Sequence, residues 1–288
     1  MTKRKVLLLS SHTRGINRMS KIDAKDRFYY NTDFLSSPLG RSVRILSEYY
    51  GPLQKLQRNK ISDTIVFFGS ARTPSKEDAE KALKKAPKEI DKQALNRLKM
   101  DVKMSRYYAD ARELAGKFTK WSKSLKGTKH RYIICSGGGP GIMEASNRGA
   151  SEAGGVNVGL TISLPYESSG NKWISEDLSM KFHYFFMRKF WFLYLAKALI
   201  VWPGGFGTLD EVMELLTLIQ TEKIKKRLPI VLYGKEFWEK VVNWDYLVEI
   251  GTISPEDLDL FYISDDVNDT FKFVTDFLKK NQLKGPNF

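Results

Sequence analysis

The stretch 198–211 reads ALIVWPGGFGTLDE, and it sets the terms for the whole chain. Ala198 to Trp202 form an apolar run of the length of a strand buried on both faces. The run stops at Pro203, Gly204, Gly205 and Gly207. An amphipathic stretch follows, with Val212, Leu215, Leu216 and Ile219 at helical spacing. Strand, glycine turn, helix is the repeating unit of a parallel α/β sheet.

Reading outward, the same pattern recurs. Apolar runs at 64–68, 132–136, 156–163, 198–202 and 229–233, and a short one at 262–263, predict strands. Helical spacing predicts helices over 41–56, 104–121, 142–153, 185–197, 209–223, 236–250 and 265–280, with a loop at 165–177. The expected fold class is α/β: a Rossmann-like, doubly wound, mainly parallel sheet with helices on both faces, plus an N-terminal helical extension. Residues 1–60 read as a basic extension packing on the core. Residues 61–288 read as one nucleotide-binding domain, in which the Lys-, Ala- and Glu-rich 75–103 is an exposed helical insertion.

Composition narrows the class. A chain of 288 residues, 42% hydrophobic, is large enough to bury a substantial core. No apolar run approaches the ~18 residues of a membrane span. Val6 to Leu9 fall short of the ~7–15 of a signal-peptide core, so a soluble, cytoplasmic protein is expected. The single cysteine, Cys135, sits in an apolar run and reads as a buried, inert thiol. Residues 1–60 hold thirteen Lys or Arg against four Asp or Glu, an excess of nine out of the chain's net +14. Such an arm either solvates the protein or offers a footprint for nucleic acid. It carries no zinc-ligand spacing and no nucleic-acid motif.

Two strand ends are glycine-rich, Gly137-Gly138-Gly139-Pro140-Gly141 and Pro203-Gly204-Gly205-Phe206-Gly207-Thr208. A third, Gly69-Ser70-Ala71-Arg72, supplies a hydroxyl and a guanidinium. Without Cβ atoms the backbone amides of such turns can approach an anion, and a helix N-terminus adds donors and a positive dipole end. Neither long turn is a Walker loop or a dinucleotide fingerprint, since Ile142 and Asp210 stand where a third glycine belongs. Thr208-x-x-Glu211 also has the spacing of a capping box, in which both side chains merely close a helix end. Arg188 and Lys189, set in an apolar helix, either reach solvent or face an anionic site.

Taken together, these residues resemble the LOG family of phosphoribohydrolases, once labelled lysine decarboxylase-like. The resemblance rests on Gly137–Gly141, the pair Arg188-Lys189, and Pro203-Gly204-Gly205-x-Gly207-Thr208-x-x-Glu211, in that order, over roughly 64–280. The form Gly-Gly-Gly-Pro-Gly-Ile-Met-Glu-Ala at 137–145 is closer to bacterial members. The resemblance implies hydrolysis of the N-glycosidic bond of a nucleoside 5′-monophosphate such as AMP, releasing free base and ribose 5-phosphate. On that reading Glu211 and Arg188 are catalytic. Gly69, Ser70, Gly138, Gly139, Glu144, Lys189, Pro203, Gly204, Gly205, Gly207 and Thr208 bind substrate. No cofactor and no metal is expected, and a homodimer is. Two other readings stay open: a non-catalytic nucleotide or cofactor carrier or sensor, and a nucleic-acid-binding protein acting through the basic arm.

Overall fold

The computed structural model describes residues 27–125, 130–163, 170–281 and 285–287. The chain divides into two compact units, residues 1–51 and 52–288. In the first unit the described residues hold a 3₁₀ turn, Phe28–Tyr30, the helix α1 (Thr32–Ser36), and the start of α2 (Arg41–Arg58). Asn31 accepts the Phe34 amide at the N-terminus of α1. Of the basic extension expected over 1–60, residues 1–26 lie outside the described residues.

The second unit is built on seven strands: β1 (Thr64–Phe68), β2 (Ile133–Ser136), β3 (Asn157–Ile162), β4 (Ser179–Phe182), β5 (Ala196–Val201), β6 (Ile230–Tyr233) and β7 (Tyr262–Ser264). Their order is β4-β3-β2-β1-β5-β6-β7, and every pairing is parallel. Parallel strands need helical crossovers on the faces, and these bury both sides of the central strands. That is why every residue of β1, β2, β5 and β6 is buried, and all but Thr64, Ser136 and Lys197 are apolar. Around the sheet run α3 (Lys76–Lys84), α4 (Lys92–Ser124), α5 (Ile142–Glu152), α6 (Phe185–Tyr194), α7 (Phe206–Gln220), α8 (Lys235–Val241), α9 (Trp244–Glu249) and α10 (Val267–Asn281). Trp202, fully buried just past β5, packs its ring 4.0 Å from that of Tyr233 and stacks on Phe67. This aromatic cluster fixes where the β5 turn begins.

The chain winds outward from β1 through β2, β3 and β4, then returns to the other side of β1 at β5. The reversal makes a crevice at the carboxyl ends of β1 and β5, the place where open α/β sheets bind ligands. The two long glycine turns, which follow β2 and β5, are therefore not neighbours. The Gly69-Ser70 turn of β1 lies between them.

Four local expectations need correction. Residues 75–103 are helical and largely exposed, but no boundary falls at 104, because α4 runs unbroken from Lys92 through the stretch expected to start there. An edge strand, β4, occupies 179–182, which carried no expected element, and its burial alternates as period-two geometry requires. The helix expected over 185–197 ends at Tyr194, and Lys197 lies in β5, fully buried. There its ammonium meets Asp63 at 3.5 Å and the Gly285 carbonyl at 2.9 Å. Finally, the helix expected over 236–250 breaks at Asn243, whose side chain caps α9 by accepting the Tyr246 amide. The loop expected over 165–177 falls in part outside the described residues.

Candidate functional site

Backbone hydrogen bonds lash the three turns together. The Ser70 amide donates to the Pro203 carbonyl at 3.1 Å, and the Ile142 amide donates to the Ser70 carbonyl at 3.1 Å. Gly141 permits the second contact. It sits at φ +69°, and a Cβ there would lie 2.3 Å from the Ser70 carbonyl oxygen. Under the β2 turn runs a buried polar network. The Ser136 hydroxyl accepts the Gly138 amide and donates to Asn147 Oδ1 at 2.7 Å. Asn147 Nδ2 donates to Asn157 Oδ1 at 2.8 Å, while Asn171 Nδ2 donates to the carbonyls of Gly138 and Gly139, both at 3.1 Å. These groups are satisfied internally, as buried polar groups must be. They hold the turn, and sequence reading missed them. The available signal was an Asn in the middle of an apolar-faced helix, where it is a poor helix former.

The turns line a cavity of about 960 Å³ over the crevice. Eleven of the thirteen residues singled out from sequence line it: Gly69, Ser70, Gly138, Gly139, Arg188, Pro203, Gly204, Gly205, Gly207, Thr208 and Glu211. Glu144 and Lys189 do not. Glu144 accepts the Tyr108 hydroxyl at 2.9 Å behind the turn. Lys189 pairs with Asp210 at 2.8 Å and Glu214 at 2.6 Å on the flank of α7. Burial works to lower its ammonium, but those two hydrogen bonds outweigh it and hold the group above its ordinary range. His183, the histidine nearest in sequence, is exposed and rests edge-on against Tyr184.

The capping-box reading of Thr208 and Glu211 is overturned. The helix α7 starts three residues earlier, with Gly205 at the cap position and no side chain capping it. Thr208 is already inside the first turn, and its hydroxyl packs on Gly204, where a Cβ would lie 2.2 Å from Oγ1. Gly205 and Gly207 differ from Gly204. A Cβ on either would meet nothing within 4 Å. The fold places no steric demand for glycine there, and the uncapped helix end offers free backbone donors and a positive dipole end.

Freed from the cap, Glu211 is a buried carboxylate in the cavity wall, its side chain 8% exposed. Arg188, 16% exposed, brings Nη2 within 3.9 Å of Oε1. That is an ion pair too long to be a charge-assisted hydrogen bond of ~2.7–2.9 Å. The guanidinium lies over the rings of Phe185 and Phe192 at 5.3 and 5.5 Å from their centroids. Loss of hydration pushes Glu211 up to about 7, against the opposing pull of Arg188 and Lys189. A carboxyl poised near neutrality in a cleft is the usual property of an acid–base group.

Residues 143–274 match the family model described as "Possible lysine decarboxylase". The resemblance to the LOG family stands over this segment. The LOG-like segment carries Arg188, the Pro203–Gly207 turn, Thr208 and Glu211. No curated protein matches the sequence. Among solved structures, the chain is similar to the molybdenum cofactor binding protein of the phototrophic bacterium Rippkaea orientalis. That pair is 14% identical with a TM-score of 0.46, over 75% of this chain and 97% of the other. It is also similar to the molybdenum cofactor carrier protein of Chlamydomonas reinhardtii, with 17% identity and a TM-score of 0.43, over 75% and 98%.

Elsewhere, Cys135 is buried, and desolvation raises its thiol well above the ordinary range. Among the described residues no cluster of His, Cys, Asp or Glu is placed to hold a metal, and no helix is long and apolar enough to cross a membrane.

Proposed function

We propose that the chain hydrolyses the N-glycosidic bond of a nucleoside 5′-monophosphate, giving free base and ribose 5-phosphate. The observation that carries this reading is Glu211: a buried carboxylate, raised to about 7, beside an arginine and an uncapped helix end. The 5′-phosphate would rest on the first-turn amides of α7, where Gly205 and Gly207 leave room for it. The ribose would then lie along the wall formed by Arg188 and Glu211. As the C1′–N bond breaks, its electron pair leaves with the base nitrogen, which takes a proton from solvent, and solvent later receives the proton that Glu211 gains. Positive charge develops on the sugar, and the Glu211 carboxylate stabilises it. Water adds its oxygen to C1′ and gives its proton to Glu211. Arg188, loosely paired with Glu211, would orient the carboxylate and the substrate. A homodimer in the cytoplasm belongs to the same reading.

The test is to incubate the purified protein with a panel of nucleoside monophosphates and separate the products. The expected result is free base and ribose 5-phosphate from at least one. Glu211→Gln should lose about 100-fold or more of that turnover while staying folded. A second reading, ligand carriage without turnover, draws on the cavity volume, at the top of the ~300–1,000 Å³ range of small-molecule sites. Tight nucleotide binding with no product in the same panel would favour carriage.

A further inference from the structure

The half of α4 that precedes the core helps to wall the cavity. Arg97, Met100, Asp101 and Met104 line it, at spacings of three, four and seven residues. Such residues share one helix face. Further along, α4 buries Tyr107, Tyr108, Ala111, Leu114 and Phe118 in the core, so this face is held on a rigid, anchored rod. The face has a definite chemistry. Met100 and Met104 are polarisable thioethers of the kind that pack against flat rings. Arg97 Nε lies 3.1 Å from Asp101 Oδ1. That contact leaves the second carboxylate oxygen and the guanidinium's terminal nitrogens available, an acceptor beside donors.

Asp101 stands out by charge. Among the described residues around the cavity, the cations are Arg72, Arg97, Lys181 and Arg188, and the carboxylates are Asp101 and Glu211. A carboxylate repels phosphate, so the Asp101 wall is the wrong place for the 5′ end of a nucleotide. It is the right place for N–H donors. A nucleotide whose phosphate sits on the α7 turn must send its base elsewhere in the cavity, and the α4 face supplies the matching hydrogen-bonding groups.

We propose that Asp101, with Arg97 beside it, is the specificity-determining pair for the base. Asp101 accepts from an exocyclic amino group while Arg97 donates to the adjacent ring nitrogen. The site therefore takes amino-bearing heterocycles, a 6-aminopurine or a 4-aminopyrimidine, over their keto counterparts. A keto oxygen in the amino position would face a carboxylate and be repelled. This inference rests on the nucleotide reading of the cavity, but not on hydrolysis.

The experiment compares AMP with IMP and CMP with UMP, by calorimetric dissociation constants and, where product forms, by kcat/KM. It uses the wild-type protein, Asp101→Asn and Asp101→Ala, with ribose 5-phosphate as a ligand lacking a base. In the wild type the amino member of each pair should be favoured by about 10-fold or more, the size of a paired hydrogen-bond readout. Asp101→Asn, whose amide can donate to a keto oxygen, should shrink or reverse that ratio. Asp101→Ala should bring it near unity. Ribose 5-phosphate affinity should stay within about 2-fold in all three, which separates a base-reading role from a damaged fold. Equal ratios in wild type and variants, with nucleotides still bound, would overturn the inference and leave the proposed function standing. Discrimination by dissociation constant with no product would leave the inference standing and overturn hydrolysis. If neither nucleotide nor ribose 5-phosphate binds, both fall.

Discussion

The two glycine turns look alike in sequence and differ in what their glycines are for. In the turn after β2, Gly138 and Gly141 adopt φ of +71° and +69°. A side chain on Gly141 would strike the backbone of the β1 turn, and on Gly138 it would strike Thr161. Below it, Ser136, Asn147 and Asn171 satisfy the turn's amides and carbonyls internally. In the turn after β5, Gly205 and Gly207 face open space, and the helix end they introduce has no side-chain cap. One turn is made of glycine so that the fold can close. The other is left open, with donors unspent, beside Arg188 and Glu211. Glycine content alone marks neither as a binding site; what the missing Cβ would have touched distinguishes them.

Substitutions in and around the two turns test this difference. The largest effect is expected at Arg188. Arg188→Gln should lower turnover by about 100-fold, and the Glu211 titration seen in the rate profile should move upward, because the nearest cation is gone. A pH–rate series on the variant checks both. Next comes Gly141→Ala, which forces a left-handed backbone on alanine and drives its methyl group into Ser70. It should lower stability by about 1–3 kcal/mol in urea unfolding. Gly207→Ala is the counter-experiment on the open turn. It lies within α7, so stability should hold or rise by up to ~1 kcal/mol while ribose 5-phosphate binding weakens. If Gly207→Ala destabilises and Gly141→Ala does not, the contrast between the turns is wrong.

A smaller effect concerns pH. Folding raises the Glu211 carboxyl to about 7, above its ordinary value near ~4.3, so between these values the folded chain holds a proton that the unfolded chain has released. Stability must then fall as pH rises across that window, and the loss is complete above about 7. Urea midpoints at pH 5 and pH 8 should therefore separate more for the wild type than for Glu211→Gln, which has no charge to bury. Acting as a base, Glu211 should make the rate rise with pH and level off above about 7. The smallest effect is expected at Lys189→Met. Its partners are Asp210 and Glu214, outside the cavity, so turnover should stay within a few-fold.

Much of the fold was legible because buried parallel strands and amphipathic helices have distinct periods. The order of elements from β1 onward follows from runs such as Thr64–Phe68 and Ala198–Trp202. What was lost had physical causes. The cavity face of α4 contains two charged residues and two methionines in a Lys-rich stretch, so composition disguised it as a solvated insertion. The α7 start was misplaced because Gly205 and Phe206 read as turn, although the backbone is helical from Phe206 onward. Glu144 and Lys189 were nominated through the family resemblance, but helix phase decides where a side chain goes. Lys189 follows Arg188 by about 100°, and that rotation takes it from the cavity to the flank of α7. The asparagine network under the β2 turn required three-dimensional knowledge that no local pattern carries.

The central claim is that water adds to C1′ of a nucleotide held between the α7 turn and Glu211. The most direct measurement is the mass of the products when a nucleoside monophosphate is turned over in water enriched in heavy oxygen. Ribose 5-phosphate should carry one heavy oxygen, on C1, and the base should be unlabelled. Heavy oxygen appearing in inorganic phosphate, with the nucleoside left intact, would contradict it.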